Sequence, residues 1–345
     1  MTNTKLLVSV LVGALLLSGC AGQEHTPAAQ RYQASFLNLF DTVTTIVGYA
    51  ESKTAFSETA QILHDQLLEY HQLFDIYNNY SGIHNLKTIN DMAGRAAVKV
   101  DGRIIGLLEF CKEVCRVTGG TVNVGMGSVL ALWHRARSEG REQPHRAALP
   151  DRNALCQAAL HTDLDSVIID RQASTVLITD PQMRLDVGAV AKGYAAEQVC
   201  RRAPEGMLVS VGGNVCATGP NPATGTPWSV GIQNPDGAPN TYLHTLSVSS
   251  GCVVTSGDYQ RTYTVNGVNY HHIIDPQTLL PGTLWRCVTV LCPDSGLGDA
   301  LSTALFLLPQ KEGQALLSQF GAEAMWIDRT GREFFSPGFS LHIKT

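Results

Sequence analysis

The stretch that most constrains the fold is residues 185–197 (LDVGAVAKGYAAE), which predicts a strand that turns directly into a helix. The run 183–187 is strand-like, a glycine follows, and small residues then recur at helical spacing up to Val199. A helix that begins here directs free backbone N–H groups beyond the strand end, an arrangement that suits a phosphate. Asp186 and Lys192 add one charge of each sign beside the turn. The same pattern also fits an ordinary structural turn with a lysine on the surface.

The rest of the chain predicts an α+β fold with mostly antiparallel sheets and flanking helices. Asn-Gly at 266–267 lies between two β-branched runs and is a strong hairpin signal. Hairpins mixed with well-separated helices favour this class over a doubly wound parallel sheet. We expect strands at 36–50, 166–170, 175–179, 207–211, 228–232, 242–249, 263–265, 268–274, 286–291 and 324–328; helices at 57–77, 101–115, within 121–133, at 151–161, 191–199, 298–308 and 312–320; and loops at 78–95 and 138–151.

Composition and missing motifs exclude several functions. The 345 residues are 44% apolar and 16% charged, which describes a globular chain long enough for a large buried core. The formal net charge of −5 gives no electrostatic support for binding nucleic acid. No glycine-rich dinucleotide fingerprint follows the first strand and no Walker-type lysine loop is present, so a Rossmann or P-loop nucleotide site is not supported.

The N-terminus predicts export. The apolar run 6–17 has twelve residues, against the roughly 20 that cross a bilayer. It ends in Leu-Ser-Gly-Cys20, which resembles a bacterial lipobox; an ordinary signal peptide or a short buried segment is the alternative. We therefore expect a signal peptide at 1–19, a lipidated Cys20 with a tether at 20–34, and one domain at 35–345. The protein would be an exported bacterial lipoprotein, anchored to the membrane through Cys20 with its domain outside the cytoplasm.

Nine cysteines occur, eight of them after the predicted lipidation site, at spacings unlike those of a small disulfide scaffold. Cys111 and Cys115 lie one helical turn apart, and no second pair of this kind follows, so zinc is not supported. Cys200, Cys216 and Cys252 lie in apolar or small-residue surroundings, which predicts buried thiols.

Two short segments carry side chains suited to chemistry. Asp299 and Thr303 lie four apart on a predicted helix, so a carboxylate and a hydroxyl share one face as a pair of hard oxygens for Mg²⁺. The alternative is that Asp299 caps the helix and Thr303 bonds back to its own turn. His271 and His272 end a strand, where one faces inward and the other outward, and either also fits a core or rim role.

Five motifs together resemble the ApbE family, the FAD:protein FMN transferases. They follow the family order over residues 36–326, and the segment 74–90 with its aromatic Tyr77 resembles a further family segment. The motifs are at 185–195 (LDVGAVAKGYA), 210–215 (SVGGNV), 255–259 (TSGDY), 272–278 (HIIDPQT) and 299–308 (DALSTALFLL).

The resemblance implies Mg²⁺-dependent transfer of FMN from FAD to a Thr or Ser hydroxyl of an acceptor protein, with release of AMP. The acceptors would be membrane or exported electron-transfer proteins, such as subunits of NADH:quinone reductase-type complexes. His272 would lie near the reacting phosphate and assist deprotonation of the hydroxyl. Asp299, Thr303 and the Ala189 carbonyl would hold the metal, with Ser302 close enough to assist. The FAD site would contain Phe40, Tyr77, Thr121, Val122, Asn123, Asp186, Lys192 and Ile273.

The sequence departs from the family pattern at three positions. Asn123 and Glu197 stand where many members have Asp, and both changes keep a polar side chain. Leu279 stands where the family usually has Gly, in a turn next to His272.

Two other functions fit parts of this pattern. An FAD pyrophosphatase would use water as the nucleophile on the same scaffold and release free FMN and AMP. A non-catalytic flavin-binding lipoprotein would not need Asp299, Thr303 and His272 together, so their joint presence counts against it.

Overall fold

The computed structural model describes residues 29–238 and 241–344. The predicted signal peptide and Cys20 lie outside the described residues. Within the described part, no helix is both long and apolar enough to cross a bilayer. The first strand begins at Gln30, so residues 30–34, which we expected in the tether, belong to the fold because they pair with the second strand.

The described elements confirm the α+β class. The helices are α1 (Lys53–Phe74), α2 (Leu86–Asp91), α3 (Gly102–Val117), α4 (Gly127–Glu142), α5 (Arg152–Ala159), α6 (Ala191–Cys200), α7 (Ser295–Leu307) and α8 (Gln310–Leu317). The strands are β1 (Gln30–Leu39), β2 (Thr42–Ala50), β3 (Val98–Lys99), β4 (Val167–Asp170), β5 (Thr175–Ile178), β6 (Leu208–Val211), β7 (Asn214–Ala217), β8 (Trp228–Gln233), β9 (Tyr242–Val248), β10 (Gly251–Gly257), β11 (Tyr263–Val265), β12 (Val268–Tyr270), β13 (Trp285–Cys292), β14 (Glu323–Asp328) and β15 (Glu333–Phe335).

An eight-stranded sheet organises the core, with strand order β1-β2-β6-β7-β10-β13-β14-β15 and antiparallel pairing throughout. One face packs against α1, α3, α6, α7 and α8 in the largest hydrophobic cluster. The other face packs against the β8-β9 hairpin. Alternation along β10 shows the two-sided burial: Cys252 and Val254 face the helices, and Val253 faces the hairpin.

Several predicted boundaries are wrong for local reasons. The strand expected at 36–50 is a hairpin, because Phe40 and Asp41 both take a φ of 52° and reverse the chain. The loop expected at 78–95 contains α2, which Asn85 and Thr88 start with reciprocal capping hydrogen bonds. Helix α4 continues to Glu142, into the loop expected at 138–151.

The run 183–187 is extended but is not a regular strand. The side-chain amide of Asn90 takes the place of a partner strand: its Oδ1 accepts from Leu185 N–H (2.7 Å) and its Nδ2 donates to the Leu185 carbonyl (3.0 Å). Asp186 N–H donates to the Val124 carbonyl at 2.8 Å. The predicted helix follows as α6, so the central turn has the expected order with a side chain in place of a strand.

Candidate active site

A cavity of about 690 Å³ opens where the central turn meets the ends of β10 and α7. Its volume falls in the range of small-molecule and cofactor sites, roughly 300–1,000 Å³. The structure brings every predicted site residue to this cavity except Ser302. The lining includes Phe40, Tyr77, Thr121, Val122, Asn123, Asp186, Ala189, Lys192, His272, Ile273, Asp299 and Thr303.

Asp299 and Lys192 form the charged pair at the bottom of the site. Asp299 is 4% exposed, and its Oδ2 lies 3.6 Å from Lys192 Nζ and accepts a hydrogen bond from Gly193 N–H at 2.9 Å. The backbone of α6 can come this close because residue 193 has no side chain: an added Cβ would overlap the Ser295 carbonyl and Asp299. Helices α6 and α7 therefore fix the carboxylate and the ammonium group relative to each other.

Asp299 does not cap its helix. The cap of α7 is Asp294, whose side chain accepts from Leu297 N–H at 2.8 Å, so the alternative role for Asp299 is wrong. Thr303 Oγ1 does donate back to the Asp299 carbonyl at 3.2 Å, and it still lines the cavity. The Asp299 carboxylate is thereby available to a ligand.

The donor set at this point fits a hard cation. No group of three or more His, Cys, Asp or Glu side chains able to hold a metal occurs within 29–238 and 241–344. One buried carboxylate, one hydroxyl and one backbone carbonyl, from Asp299, Thr303 and Ala189, instead match Mg²⁺, which takes few protein ligands and keeps water or phosphate oxygens for the rest.

Ser302 supports the site from beneath instead of lining it. The residue is fully buried, its Oγ donates to the Asp299 carbonyl at 3.0 Å, and Ser256 Oγ lies 2.9 Å from it. Because its hydroxyl bonds to Asp299 and Ser256, Ser302 ties α7 to the end of β10. The expectation of direct help in metal binding is replaced by this bridging role.

The strand expected at 268–274 ends at Tyr270, so the two neighbouring histidines lie just after β12. One is nevertheless buried and the other lines the cavity. His271 is buried: its Nε2 donates to the Gly282 carbonyl (2.8 Å) and its Nδ1 accepts from Ile273 N–H (3.2 Å). His272 lines the cavity, and its Nδ1 donates to the Gln260 carbonyl at 3.3 Å, which leaves Nε2 as the basic nitrogen. Burial, followed by repulsion from cations that include Arg261 and Lys192, lowers the pKa of His272 to about 3.

Tyr77, His134 and Asp186 form a polar chain along the cavity wall. Tyr77 O–H donates to His134 Nδ1 at 2.9 Å, and His134 Nε2 lies 3.9 Å from Asp186 Oδ2. Asp186 Oδ1 accepts from Gly188 N–H at 2.9 Å and so shapes the turn before α6. Burial, followed by the Asp186 charge, raises the pKa of Tyr77 to about 12, and burial lowers the pKa of His134. Both groups are therefore neutral near pH 7.

Sequence reasoning missed a basic group on this cavity. His134, Arg137 and Arg141 lie on one face of α4, and Arg261 joins them from the segment after β10. Residues 134, 137 and 141 have the i, i+3, i+7 spacing of one helix face. The predicted helix ended at Trp133, so these residues were not recognised as sharing a face. Arg137, Arg141, Arg261 and Lys192 face four carboxylates on the same lining, those of Asp41, Asp75, Asp186 and Asp299, so the cavity can bind a ligand that carries both anionic and polar groups.

Asn214 is a second missed residue. It follows the two-residue turn Gly212-Gly213, whose φ values are 61° and 94°, and it lines the cavity while only 2% exposed. Its Nδ2 has no hydrogen-bond partner within the described residues. Leaving a buried donor unsatisfied costs about 1–3 kcal/mol, so a bound acceptor oxygen would stabilise this position.

The departures from the family pattern have structural explanations. Asn123 shapes its own turn, since its Oδ1 accepts from Gly125 N–H (2.8 Å) and its Nδ2 donates to the Thr162 carbonyl (2.9 Å). Glu197 joins the two site helices: its Oε2 accepts from Ser295 N–H at 2.8 Å. Both side chains hold the framework of the cavity.

The backbone conformation at Leu279 explains why the family usually has glycine at this position. Its φ is 60°, in the left-handed region that glycine adopts without strain. The side chain is 5% exposed in the cluster around α4, and Trp133 Nε1 donates to its carbonyl at 3.1 Å. Apolar burial and this hydrogen bond offset the backbone strain, so the turn beside His272 keeps its shape.

Comparison with known proteins places these features in one family. A family model described as the ApbE family matches residues 40–326. An FAD:protein FMN transferase of Treponema pallidum is 35% identical over 260 residues, covering 70% of each chain. One from Salmonella typhimurium is 29% identical and covers 96% of each chain.

Solved structures agree with the sequence comparisons. The ApbE protein of Thermotoga maritima has a TM-score of 0.80 at 27% identity and covers 92% of this chain and all of its own. The flavin transferase ApbE of Vibrio cholerae, at 22% identity, shares the fold with a TM-score of 0.74 and covers 91% of this chain and 99% of its own.

Proposed function

The chain belongs to the ApbE family, and we propose on that basis that it is an FAD:protein FMN transferase. The observation that carries the proposal is the meeting, in one cavity, of the Asp299–Lys192 pair and the free Nε2 of His272. Phosphoryl transfer needs positive charge at the phosphate and a nucleophile that loses its proton: Lys192 supplies charge, and His272 Nε2 can accept the proton of an incoming hydroxyl.

The proposed reaction joins FMN to a Thr or Ser hydroxyl of an acceptor protein. The hydroxyl oxygen attacks the phosphorus on the FMN side of the FAD diphosphate, and its proton passes to His272 Nε2. The bond from that phosphorus to the AMP oxygen breaks, and AMP leaves. A general base of this kind contributes about 10²–10⁴-fold to the rate.

Three groups would hold Mg²⁺: the Asp299 carboxylate, the Thr303 hydroxyl and the Ala189 carbonyl. When bound, the ion supplies positive charge against the diphosphate. Lys192 and Arg261 add fixed positive charge to the same cavity, where they would hold phosphate oxygens.

The charges of this site also set when His272 can act. Burial and the surrounding cations keep its pKa at about 3, which makes it a weak base. A bound diphosphate would weaken the repulsion from those cations, whereas burial, the larger cause of the low pKa, would remain. His272 is therefore unprotonated before the reaction, as a general base must be.

We further propose that the protein acts as a lipoprotein outside the cytoplasm. The support is the lipobox-like ending at Cys20 and the apolar run before it. The acceptors would then be exported or membrane electron-transfer proteins. Labelling with a radioactive fatty acid, with Cys20→Ser as the control, tests the anchor: label on the variant would contradict it.

An acceptor assay tests the transfer. The full-length protein in detergent is mixed with FAD, Mg²⁺ and a candidate acceptor domain. Flavin fluorescence is read on the denatured acceptor, and AMP and free FMN are quantified. We expect acceptor-bound flavin equal to the AMP released. Release of AMP with an equal amount of free FMN, and no flavin fluorescence on any acceptor tested, would identify a pyrophosphatase. Bound FAD without release of AMP would identify a flavin-binding protein.

A further inference from the structure

Four cysteines come together between the main sheet and α6, on the helix side of the sheet. Cys216, Cys252 and Cys292 occupy directly opposite positions on β7, β10 and β13, so their side chains form a row across three strands. All three are at most 2% exposed. Cys200, at the end of α6, lies beside Cys216 and is only partly buried.

The two central sulfurs are closest. Cys252 Sγ lies 2.9 Å from Cys216 Sγ, against about 2.0 Å in a disulfide bond. Directly opposite residues of an antiparallel pair have Cα atoms about 4.5–5.5 Å apart, inside the span that a disulfide bridges. Closing the bond therefore needs a small side-chain movement and no change of strand register.

We propose that Cys216 and Cys252 are an exchangeable disulfide pair, with Cys200 as the thiol through which oxidant and reductant reach it. Oxidation removes two electrons and two protons from the pair and forms one S–S bond. The oxidant is an external disulfide, which accepts them and becomes two thiols. This inference is independent of the transferase activity.

The position of Cys200 gives the exchange a route to the buried pair. As the half-buried member, Cys200 attacks the external disulfide and releases one external thiol. Cys216 then attacks Cys200 Sγ and releases the second external thiol, and Cys252 attacks Cys216 and returns Cys200 to its thiol form.

The remaining cysteines supply the comparison. Cys287 is 1% exposed on β13, one of the strands of the row, but it faces the β8-β9 hairpin on the opposite side of the sheet. Cys111 and Cys115 lie on α3 and form a separate pair. Both sets should therefore stay reduced under mild exchange. The exposed Cys156 should at most take up one glutathione as a mixed disulfide, which its mass distinguishes from a link between two cysteines.

Mass spectrometry of the full-length protein tests the proposal. The protein is equilibrated with oxidised or reduced glutathione, unfolded in an alkylating reagent and digested without reduction. We expect the oxidised sample to lose two alkylatable thiols besides any glutathione bound at the exposed Cys156, and to yield a peptide that links Cys216 to Cys252. Free Cys216 and Cys252 after full equilibration, or a link between other cysteines alone, would overturn the assignment.

Variants test the order of exchange. Cys200→Ser should still form the Cys216–Cys252 link but at least about tenfold more slowly, because its route of entry is lost. Cys252→Ser should trap a Cys200–Cys216 link. Cys287→Ser, the matched control, should leave the rate and the link unchanged. An unchanged rate in Cys200→Ser would remove Cys200 from the exchange.

Discussion

Lys192 Nζ lies 3.6 Å from Asp299 Oδ2, across the contact between α6 and α7. The two residues are 107 positions apart in the chain, and the glycine at 193 allows their helices to meet. This pair is the link between the fold and the proposed chemistry. Each position near it should therefore respond to substitution in a way that its contacts define.

Replacing Lys192 should impair transfer without unfolding the protein. Lys192→Met keeps the length of the side chain but removes its charge, so kcat/KM for FAD should fall by about 10²-fold. Lys87→Met is the control, because Lys87 pairs with Asp91 on the surface of α2 and should leave kcat/KM unchanged. Steady-state kinetics checks both, and equal activities of wild type and Lys192→Met would contradict the role of Lys192.

His272 should make the free energy of unfolding decrease as the pH is lowered. Its pKa is depressed from 6.5 to about 3, so the folded state disfavours a proton that the unfolded chain binds. The stabilisation is complete above pH 6.5 and is lost as pH falls toward 3. Between pH 7 and 5, wild type should lose about 1 kcal/mol more unfolding free energy than His272→Asn, after allowance for solvent in the cavity. Urea unfolding at both pH values measures this, and equal losses would contradict the shift.

Gly193 should tolerate no side chain. Gly193→Ala introduces a Cβ that overlaps the Ser295 carbonyl and Asp299, so α6 and α7 must separate. We expect about 1–3 kcal/mol of destabilisation and loss of most activity. In Gly102→Ala an added Cβ meets nothing within 4 Å, so thermal unfolding of this control should match wild type. A Gly193→Ala protein as stable as the control would contradict the close packing.

At position 279, the glycine variant should be more stable than the alanine variant, which is the reverse of the usual order. Leu279→Ala loses the buried side chain, at about 2–5 kcal/mol, and keeps the strained φ of 60°. Leu279→Gly loses the same side chain but regains about 1 kcal/mol by relieving the strain. In the helical control at Leu155, glycine should be the less stable substitution. Leu279→Gly melting below Leu279→Ala would contradict the strain.

Motifs that resemble the ApbE family predicted twelve residues that line the cavity, but not Asn214, Arg261 or the basic side chains of α4. The turn before α6, the TSGDY and HIID segments and the helix with Asp299 and Thr303 each carry a signal within a few residues. The cap of α7 was missed because Asp294 is followed by Ser-Gly-Leu-Gly, and the apolar helical pattern begins only after Asp299. Only the structure shows that Asp294 accepts from Leu297 N–H.

Contacts between distant segments could not be predicted from one sequence. The row of Cys216, Cys252 and Cys292 depends on the register of β7, β10 and β13, which are distant in the chain. The extended run at Leu185 was predicted as a strand because its pattern is that of one. The run instead makes one isolated parallel bridge, between Arg184 and Met126, and the side chain of Asn90 bonds to the backbone of Leu185. Periodicity in the sequence does not reveal such partners.

The most direct test of the account is the chemical product on the acceptor. The acceptor domain is incubated with FAD, Mg²⁺ and either wild type, Asp299→Ala or Asp294→Ala, and its peptides are analysed by mass spectrometry. Asp294→Ala removes an acid from the start of the same helix: it loses the cap, which costs about 1 kcal/mol of stability, and the ion pair with Arg201 at the end of α6. We predict FMN on a Thr or Ser with wild type and Asp294→Ala, and none with Asp299→Ala. Equal labelling by Asp299→Ala would contradict the central claim.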